Sequence, residues 1–321
     1  MKNFAITGVA GYIAPRHLQA IKDTGNRVVA AIDPHDSVGI LDKYFSEASF
    51  FTEIERFDRH LEKLRRSNNN EKVDFLTICA PNHLHDSHIR LALRVDADAI
   101  CEKPLVLNPW NLDILQKLEV EYKKRIYTIL QLRFHPVMME LKNKLAGKNQ
   151  KHNVCLTNIT SRGLWYKYSW KGISEKSGGL VTNIGIHLFD ILIWLFGKVK
   201  VSCVHLSEPT RMSGFLELEK ANITWFLSLD KNDLPKEVLD QNKNTFRSIL
   251  IDGEDLHFAE GFADLHTVVY KNIFSGNGLG IEEARPSIEA VYNIRNSKIT
   301  HGDEPKHPKL IKGKADQTKI L

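Results

Sequence analysis

The segment Thr7-Gly8-Val9-Ala10-Gly11-Tyr12-Ile13-Ala14 constrains this chain more than any other. It stands between the apolar run Phe4–Thr7, which suits a β-strand, and Pro15–Thr24, where Leu18 and Ile21 with Ala14 and Ala20 give a helix an apolar side. A glycine turn in that setting lets the backbone approach a pyrophosphate, whose charge is met by free N–H groups and the positive end of the helix dipole. The spacing is G-x-x-G-x-x-A, one residue longer in its first step than G-x-G-x-x-G. About twenty residues beyond Gly11, at the end of the run Arg27–Ile32, stands Asp33. An acid there accepts the ribose hydroxyls of adenosine and repels a 2′-phosphate, which favours NAD over NADP. A tight β–α turn closed by an ordinary strand-end aspartate would carry the same letters; the agreement of strand, turn, helix and acid favours the dinucleotide. Gly8, Ala10, Gly11, Tyr12, Ile13 and Asp33 are therefore the expected cofactor contacts.

The alternation continues. Asp74–Cys79, Ala99–Cys101 and Ile126–Leu130 read as strands, with Asp58–Arg66, His85–Val95 and Asn108–Lys124 as helices between them. Asn108 and Pro109 form the N-cap and first-turn pair of the last, and Ser67-Asn68-Asn69-Asn70 reads as a loop. Repeated βαβ predicts a Rossmann domain over residues 1–128. Beyond it Val154–Ser161, Lys200–Leu206, Gly214–Leu218, Ala221–Leu229 and Ser248–Ile251 follow one another with a single clear helix, Ile184–Phe196, between them. Consecutive strands predict an α+β domain over residues 129–321 with a large, mostly antiparallel open sheet. The tail after Thr300, rich in Lys, Gly and Pro, is expected to be loosely ordered.

Composition excludes several classes. With 44 basic against 39 acidic residues in 321, the net charge of +5 implies no nucleic-acid partner. The N-terminal run leads directly into glycines, unlike a signal peptide. The stretch Ile184–Phe196 is interrupted by His187 and Asp190 and is shorter than the roughly 20 residues that span a bilayer, so no membrane partner is expected. Cys79, Cys101, Cys155 and Cys203 are scattered without a C-x-x-C pair, which fits reduced thiols and a cytoplasmic protein.

Three further motifs carry chemistry. Ala80-Pro81-Asn82-His83-Leu84-His85 follows a parallel strand, which places Pro81, Asn82 and His85 in the crevice where ligands bind. His83, His85 and His88 raise the question of a metal, but no clustered carboxylate or cysteine completes a set, and none is expected. Cys101-Glu102-Lys103-Pro104 brings a lysine to the same sheet edge. In the second domain Ser177-Gly178-Gly179-Leu180-Val181-Thr182-Asn183-Ile184-Gly185-Ile186-His187 places Asn183 and His187 four apart, on one helix face. Oxidising an alcohol needs a base for the hydroxyl proton, for which histidine suits neutral pH, and a cation to stabilise the developing alkoxide. Taken singly, E-K-P is an ordinary surface tripeptide and His187 an ordinary core histidine.

In this order, however, the motifs resemble the glucose–fructose oxidoreductase and inositol dehydrogenase (Gfo/Idh/MocA) family across almost the whole chain. The resemblance implies Lys103 and His187 as catalytic, Glu102 and Pro104 as the rest of the lysine's motif, and a cofactor contact for Glu102 and Lys103. It puts Asn183 where the family commonly has an acid, which removes a Lys–Asp–His relay and leaves Asn183 to orient the sugar ring. Gln131-Leu132-Arg133-Phe134-His135-Pro136 resembles the family's N-x-R-x-x-P, with Gln131 near the nicotinamide.

Gly8–Asn26, Thr160–Tyr166 and Ser169–Gly172 resemble more narrowly the UDP-N-acetyl-2-amino-2-deoxyglucuronate dehydrogenases of lipopolysaccharide O-antigen synthesis. This implies oxidation of the C3 hydroxyl of a UDP-sugar, a downstream aminotransferase, a homotetramer, and regeneration of NAD by 2-oxoglutarate. The residues agree: Arg162 and Lys171 can bind carboxylate and diphosphate, and Trp165, Tyr166 and Trp170 offer flat faces for sugar or uracil. Lys103, Asn183 and His187 complete the expected substrate contacts. An aromatic strand edge packed between subunits would also explain the aromatic cluster. The rivals are a free-sugar or inositol dehydrogenase of the same family and a non-catalytic NAD-binding sensor.

Overall fold

The computed structural model describes residues 1–67, 71–147, 150–256 and 264–311. The chain forms two compact units: the described residues of 1–135 and 262–288 make one, those of 136–261 and 289–321 the other. A single cut at residue 128 therefore does not divide the fold. The chain returns to the first unit late, and leaves it again within the helix Ile281–Asn296.

The first unit holds a six-stranded parallel sheet in the order β3-β2-β1-β4-β5-β6, with β1 Asn3–Thr7, β2 Arg27–Ile32, β3 Ser49–Phe51, β4 Phe75–Ile78, β5 Asp98–Cys101 and β6 Ile126–Thr128. Every strand pairing within it is parallel among the described residues, so all these strands end at the same edge. Helices Ala14–Asp23, Ile54–Arg66, His85–Arg94 and Pro109–Tyr122 supply the crossovers. Asn108 occupies the N-cap position of the last with extended backbone, but its side chain does not cap the first turn. Residues 68–70 of the expected loop lie outside the described residues; Ser67 ends the preceding helix. β3, only three residues long, is too short to announce a strand.

An additional helix, Leu265–Phe274, contributes Val269, Tyr270 and Ile273 to the same core as Phe4, Leu18 and Ile100. Phe4 stacks on Phe75 with centroids 5.1 Å apart, and Phe274 meets Phe75 edge-on at 5.6 Å.

The second unit holds a six-stranded sheet in the order β12-β11-β7-β10-β9-β8, with β7 His152–Thr160, β8 Val199–Ser207, β9 Arg211–Leu218, β10 Ala221–Ser228, β11 Thr245–Ile251 and β12 Glu254–Asp255. All pairings but β10 with β7 are antiparallel, as the consecutive strands predict. The expected helix Ile184–Phe196 is the end of a longer helical segment, Ser174–Phe196, which is long and apolar enough to cross a membrane but whose apolar stretch is mostly buried in the core of this unit. Phe189 meets the fully buried Trp225 of β10 edge-on at 5.4 Å. The close packing demands small residues: a Cβ on Gly185 would stand 2.8 Å from Leu227 and Phe189. The helix Pro136–Leu145 also belongs to this unit and lacked a clear signal in the sequence.

The tail departs from expectation. Thr300 N–H bonds the carbonyl of Val204 at 2.7 Å, and His307 is buried against Phe226. Residues 312–321 lie outside the described residues. His307 Nδ1 accepts from Lys309 N–H at 3.2 Å, which leaves Nε2 to donate to Thr157 Oγ1 at 3.0 Å. The Lys, Gly and Pro content of the tail gave no sign of this plug, because one histidine supplies it.

Burial, helped by the charge of Lys309, pulls the His307 pKa from 6.5 to about 4. The neutral ring belongs to the folded state, so its contribution is present above pH 6.5 and is lost as pH falls toward 4. Between pH 7 and pH 5 the wild-type protein should lose about 1–2 kcal/mol more stability than His307→Gln, read as the difference in urea unfolding free energy at the two pH values.

Candidate active site

The sheet edge gathers the expected cofactor residues of the first unit. Gly8 follows β1 with φ of +75°, and a Cβ there would stand 2.6 Å from the carbonyl carbon of Cys79. Only glycine lets the first turn lie against the end of β4. Ala10, Gly11, Tyr12 and Ile13 complete the turn, with Ala10 and Tyr12 exposed. The helix that follows starts with Ile13 at its N-cap, no side-chain cap and no acid in its first turn, so its first N–H groups and positive dipole end suit a pyrophosphate.

Asp33 follows β2 directly and is buried. Its Oδ2 accepts from Ala10 N–H at 3.0 Å and its Oδ1 from His35 N–H at 2.9 Å. The acid thus ties the glycine turn to the neighbouring strand end while presenting negative charge there. These residues fit NAD: a turn with no side chain at its closest approach, an uncapped helix start, and a carboxylate one strand away.

After β4, Pro81 and Asn82 sit at the same edge, Asn82 buried. His85 has a different task from the expected cofactor contact. Its ring is fully buried, with Nδ1 2.7 Å from the carbonyl of Pro104 and Nε2 2.9 Å from that of Ala80. Burial holds the imidazole below its usual pKa; the neutral ring has one N–H, which the shorter contact gives to the Pro104 carbonyl, while Nε2 lies against that of Ala80. His88 Nδ1 lies 3.1 Å from Thr7 Oγ1, its pKa lowered to about 4 by burial and by its neighbours His85 and His83. His83 is exposed, so the three histidines are separated in use.

After β5, Glu102 is buried and Lys103 half-buried. Glu102 Oε1 lies 2.9 Å from His17 Nε2 and 3.2 Å from His266 Nε2; Oε2 lies 3.2 Å from Lys103 N. Burial by itself would raise this carboxyl, but the bonds from His17 and His266 outweigh it and hold Glu102 well below the usual carboxylate range. The carboxylate therefore serves the lysine's backbone. Among the described residues His17, Glu102 and His266 are also the one group of potential ligands close enough to hold a metal, within 4.8 Å of one another. Both histidines fall outside the motifs read from the sequence; His17, a histidine on the apolar side of its helix, carried a signal that could have marked it. Gln131 follows β6 in a short turn whose Arg133 bonds the carbonyl of Glu283 at 2.7 Å.

In the second unit a compact polar cluster follows β7. Lys171 Nζ stands 5.3 Å from the Trp165 ring centre and 5.6 Å from that of Trp170. Burial, and then the charge of Arg162, lower the pKa of Lys171. Two neighbouring cations, one of them against two tryptophan faces, suit an anion attached to a flat or ring-shaped group. Asn183 Nδ2 donates to Tyr166 Oη at 2.8 Å, both residues being buried. Asn183 lies in a π-helical turn, Val181–Gly185, and His187 is half-buried in the α-helix that follows. The wider turn replaces the regular α spacing expected between them, and such turns recur at functional sites.

Residues 2–130 match the family described as an oxidoreductase family with an NAD-binding Rossmann fold, and residues 153–234 match its C-terminal α/β domain. The chain belongs to the Gfo/Idh/MocA oxidoreductase family. A crystal structure of the WlbA (WbpB) dehydrogenase from Thermus thermophilus with NAD and α-ketoglutarate is 49% identical, covers 96% of this chain and 99% of its own, and superposes with a TM-score of 0.92. A second structure of the Thermus enzyme, with NAD and UDP-GlcNAcA, is 48% identical with the same coverage and TM-score. The WlbA dehydrogenase of Bordetella pertussis shares the fold at 19% identity and a TM-score of 0.74, covering 92% of this chain and 96% of that one. Inositol 2-dehydrogenase of Rhizobium meliloti is 26% identical over 62% of this chain, a match that spans 56% of that protein.

In this Gfo/Idh/MocA protein the charge and the hydrogen bonds of Asp33 can be separated. Asp33→Asn keeps an acceptor for Ala10 N–H but removes the charge, and should narrow the preference for NAD over NADP by about tenfold or more, a change of about 1.4 kcal/mol. Asp33→Ala should in addition weaken NAD itself. Titration of both cofactors against each variant measures the two effects.

Proposed function

We propose that the protein oxidises the C3 hydroxyl of UDP-N-acetyl-2-amino-2-deoxy-D-glucuronate to a ketone with NAD, as a step in lipopolysaccharide O-antigen sugar synthesis. The observation that carries this reading is the near full-length similarity to the Thermus thermophilus WlbA dehydrogenase, crystallised with NAD and with UDP-GlcNAcA. The cluster of Arg162, Trp165, Trp170 and Lys171 supports a charged nucleotide sugar over a free sugar or inositol, because two cations need anions to offset their repulsion. Tyr166, held by Asn183, adds a rigid aromatic face.

In the proposed mechanism His187 takes the proton of the C3 hydroxyl, Lys103 hydrogen-bonds the same oxygen and stabilises it as negative charge develops, and Asn183 orients the ring. When bound, NAD supplies the hydride acceptor. Gly8, Ala10, Gly11, Tyr12, Ile13 and Asp33 hold its adenosine and pyrophosphate, with Pro81, Asn82, Lys103 and Gln131 toward its other end. The α-ketoglutarate in a Thermus structure supports 2-oxoglutarate as the compound that regenerates the cofactor in place. The same reading places the protein in the cytoplasm as a homotetramer and passes its ketone to an aminotransferase.

The test is nicotinamide absorbance on mixing protein and NAD with UDP-N-acetylglucosaminuronate, with UDP-N-acetylglucosamine as the control. Reduction is expected with the uronate alone, and multiple turnovers on limiting NAD only when 2-oxoglutarate is added. Lys103→Met and His187→Asn should each lower kcat by about 10²–10⁴-fold. Near-normal turnover in His187→Asn with none in Lys103→Met would make the lysine the base. No reduction with either sugar would overturn the substrate, and sustained turnover on free NAD alone would overturn the recycling.

A further inference from the structure

The buried polar set around Glu102 has one consistent proton order. A carboxylate only accepts, so His17 Nε2 and His266 Nε2 both carry hydrogens toward Glu102 Oε1. Burial lowers the pKa of His17, which keeps its ring neutral and its Nδ1 a lone pair. That lone pair, 2.9 Å from Tyr270 Oη, accepts the tyrosine proton, and Tyr270 in turn accepts from Thr77 Oγ1 at 2.9 Å. The chain of donors runs from Thr77 through Tyr270 and His17 to Glu102, and Glu102 Oε2 then receives Lys103 N–H. On the other side of the lysine His85 Nδ1 holds the carbonyl of Pro104. The backbone of Lys103 is thereby gripped on both flanks by groups that are themselves buried.

We propose that Glu102, clamped by His17 and by His266 of the late-returning helix, is the positioning residue that fixes the backbone from which the Lys103 side chain acts. The inference rests on the proposed catalytic role of Lys103. His266, Tyr270, His17 and Thr77 touch neither substrate nor cofactor in this account; they act through Glu102. Because the clamp sets the angle of one side chain among many cofactor contacts, its loss should lower kcat far more than it raises the KM for NAD. A misplacement of about 1 Å is enough to cost about 10²-fold in rate.

The experiment compares His266→Leu, which removes the donor and approximates the ring's bulk, with His266→Gln, whose amide N–H₂ can reach Glu102 in place of Nε2. In the UDP-N-acetylglucosaminuronate assay His266→Leu should lower kcat about 10- to 100-fold with the KM for NAD changed less than about twofold, and His266→Gln should return to within about threefold of wild type. Thermal melting of each variant accompanies the kinetics. Equal loss of kcat in both variants, or wild-type kcat in a folded His266→Leu, overturns the clamp. Should His266→Leu fail to fold, Tyr270→Phe decides: it removes one hydroxyl, leaves His17 Nδ1 without its donor, and should lower kcat about 3- to 10-fold at unchanged KM; wild-type kcat overturns the proposal. A stoichiometric divalent metal in the purified protein, resistant to chelator, would also overturn it, since the three ligand atoms would then serve the ion. Lys103→Met separates the two readings: turnover surviving in that variant sinks the role of the lysine itself, whereas its loss beside a fully active His266→Leu sinks only the clamp.

Discussion

Where a Cβ of Gly8 would stand, the backbone of Cys79 already is. That contact brings the first turn against the end of β4, and the arrangement of the first unit's site depends on it. A parallel sheet sends every crossover back to the same starting edge and leaves every strand end at the other. The turns that follow β1, β2, β4, β5 and β6 are thus neighbours whatever their sequences, and the sequences need only furnish each with the right group: glycines, an acid, an amide and a lysine. Asp33 binding Ala10 N–H, and the buried His85 ring bonding Pro104 and lying against Ala80, tie adjacent turns together, so the edge is braced by side chains as well as by the strands.

The second unit reaches its polar cluster by another route. Its sheet is mostly antiparallel and packs on a helix whose composition would suit a membrane, and the tight fit of Gly185 and Phe189 against Leu227 and Trp225 leaves little freedom where the π-helical turn carries Asn183. Anchoring the turn in a dense core fixes the bond from Asn183 to Tyr166. Lys171, between two tryptophans and near Arg162, is less comfortable as a cation than on an open surface, and an anion relieves that cost.

Much of this was legible in the residues. Local signals carried the first five expected strands, the glycine turn, Asp33 and the run of consecutive strands, because each depends on neighbours in sequence. What escaped depends on partners far away in the chain. The helix Leu265–Phe274 has Leu265, Val269 and Ile273 at helical spacing, but that pattern does not say where it packs, and it carries Tyr270 into a core made by residues near the start. His85 illustrates the limit from the other side: position after a parallel strand suggested a ligand contact, while the carbonyls that its two nitrogens face belong to the backbone and leave no trace in its own motif. Composition misjudged the tail for a similar reason, since His307 alone finds the site made by Thr157 and Phe226.

The return of the chain to its first unit bears on how such proteins can be recombined. A nucleotide-binding half taken from one relative and joined at residue 128 to the remainder of another would bring its own His17 and Thr77 but inherit a stranger's His266 and Tyr270. The inherited block is therefore not the contiguous stretch that the sheet occupies. Exchange between relatives preserves the first unit's core only when the residues around Leu265–Phe274 travel with the strands they complete, so substitutions in these two distant stretches are expected to change together.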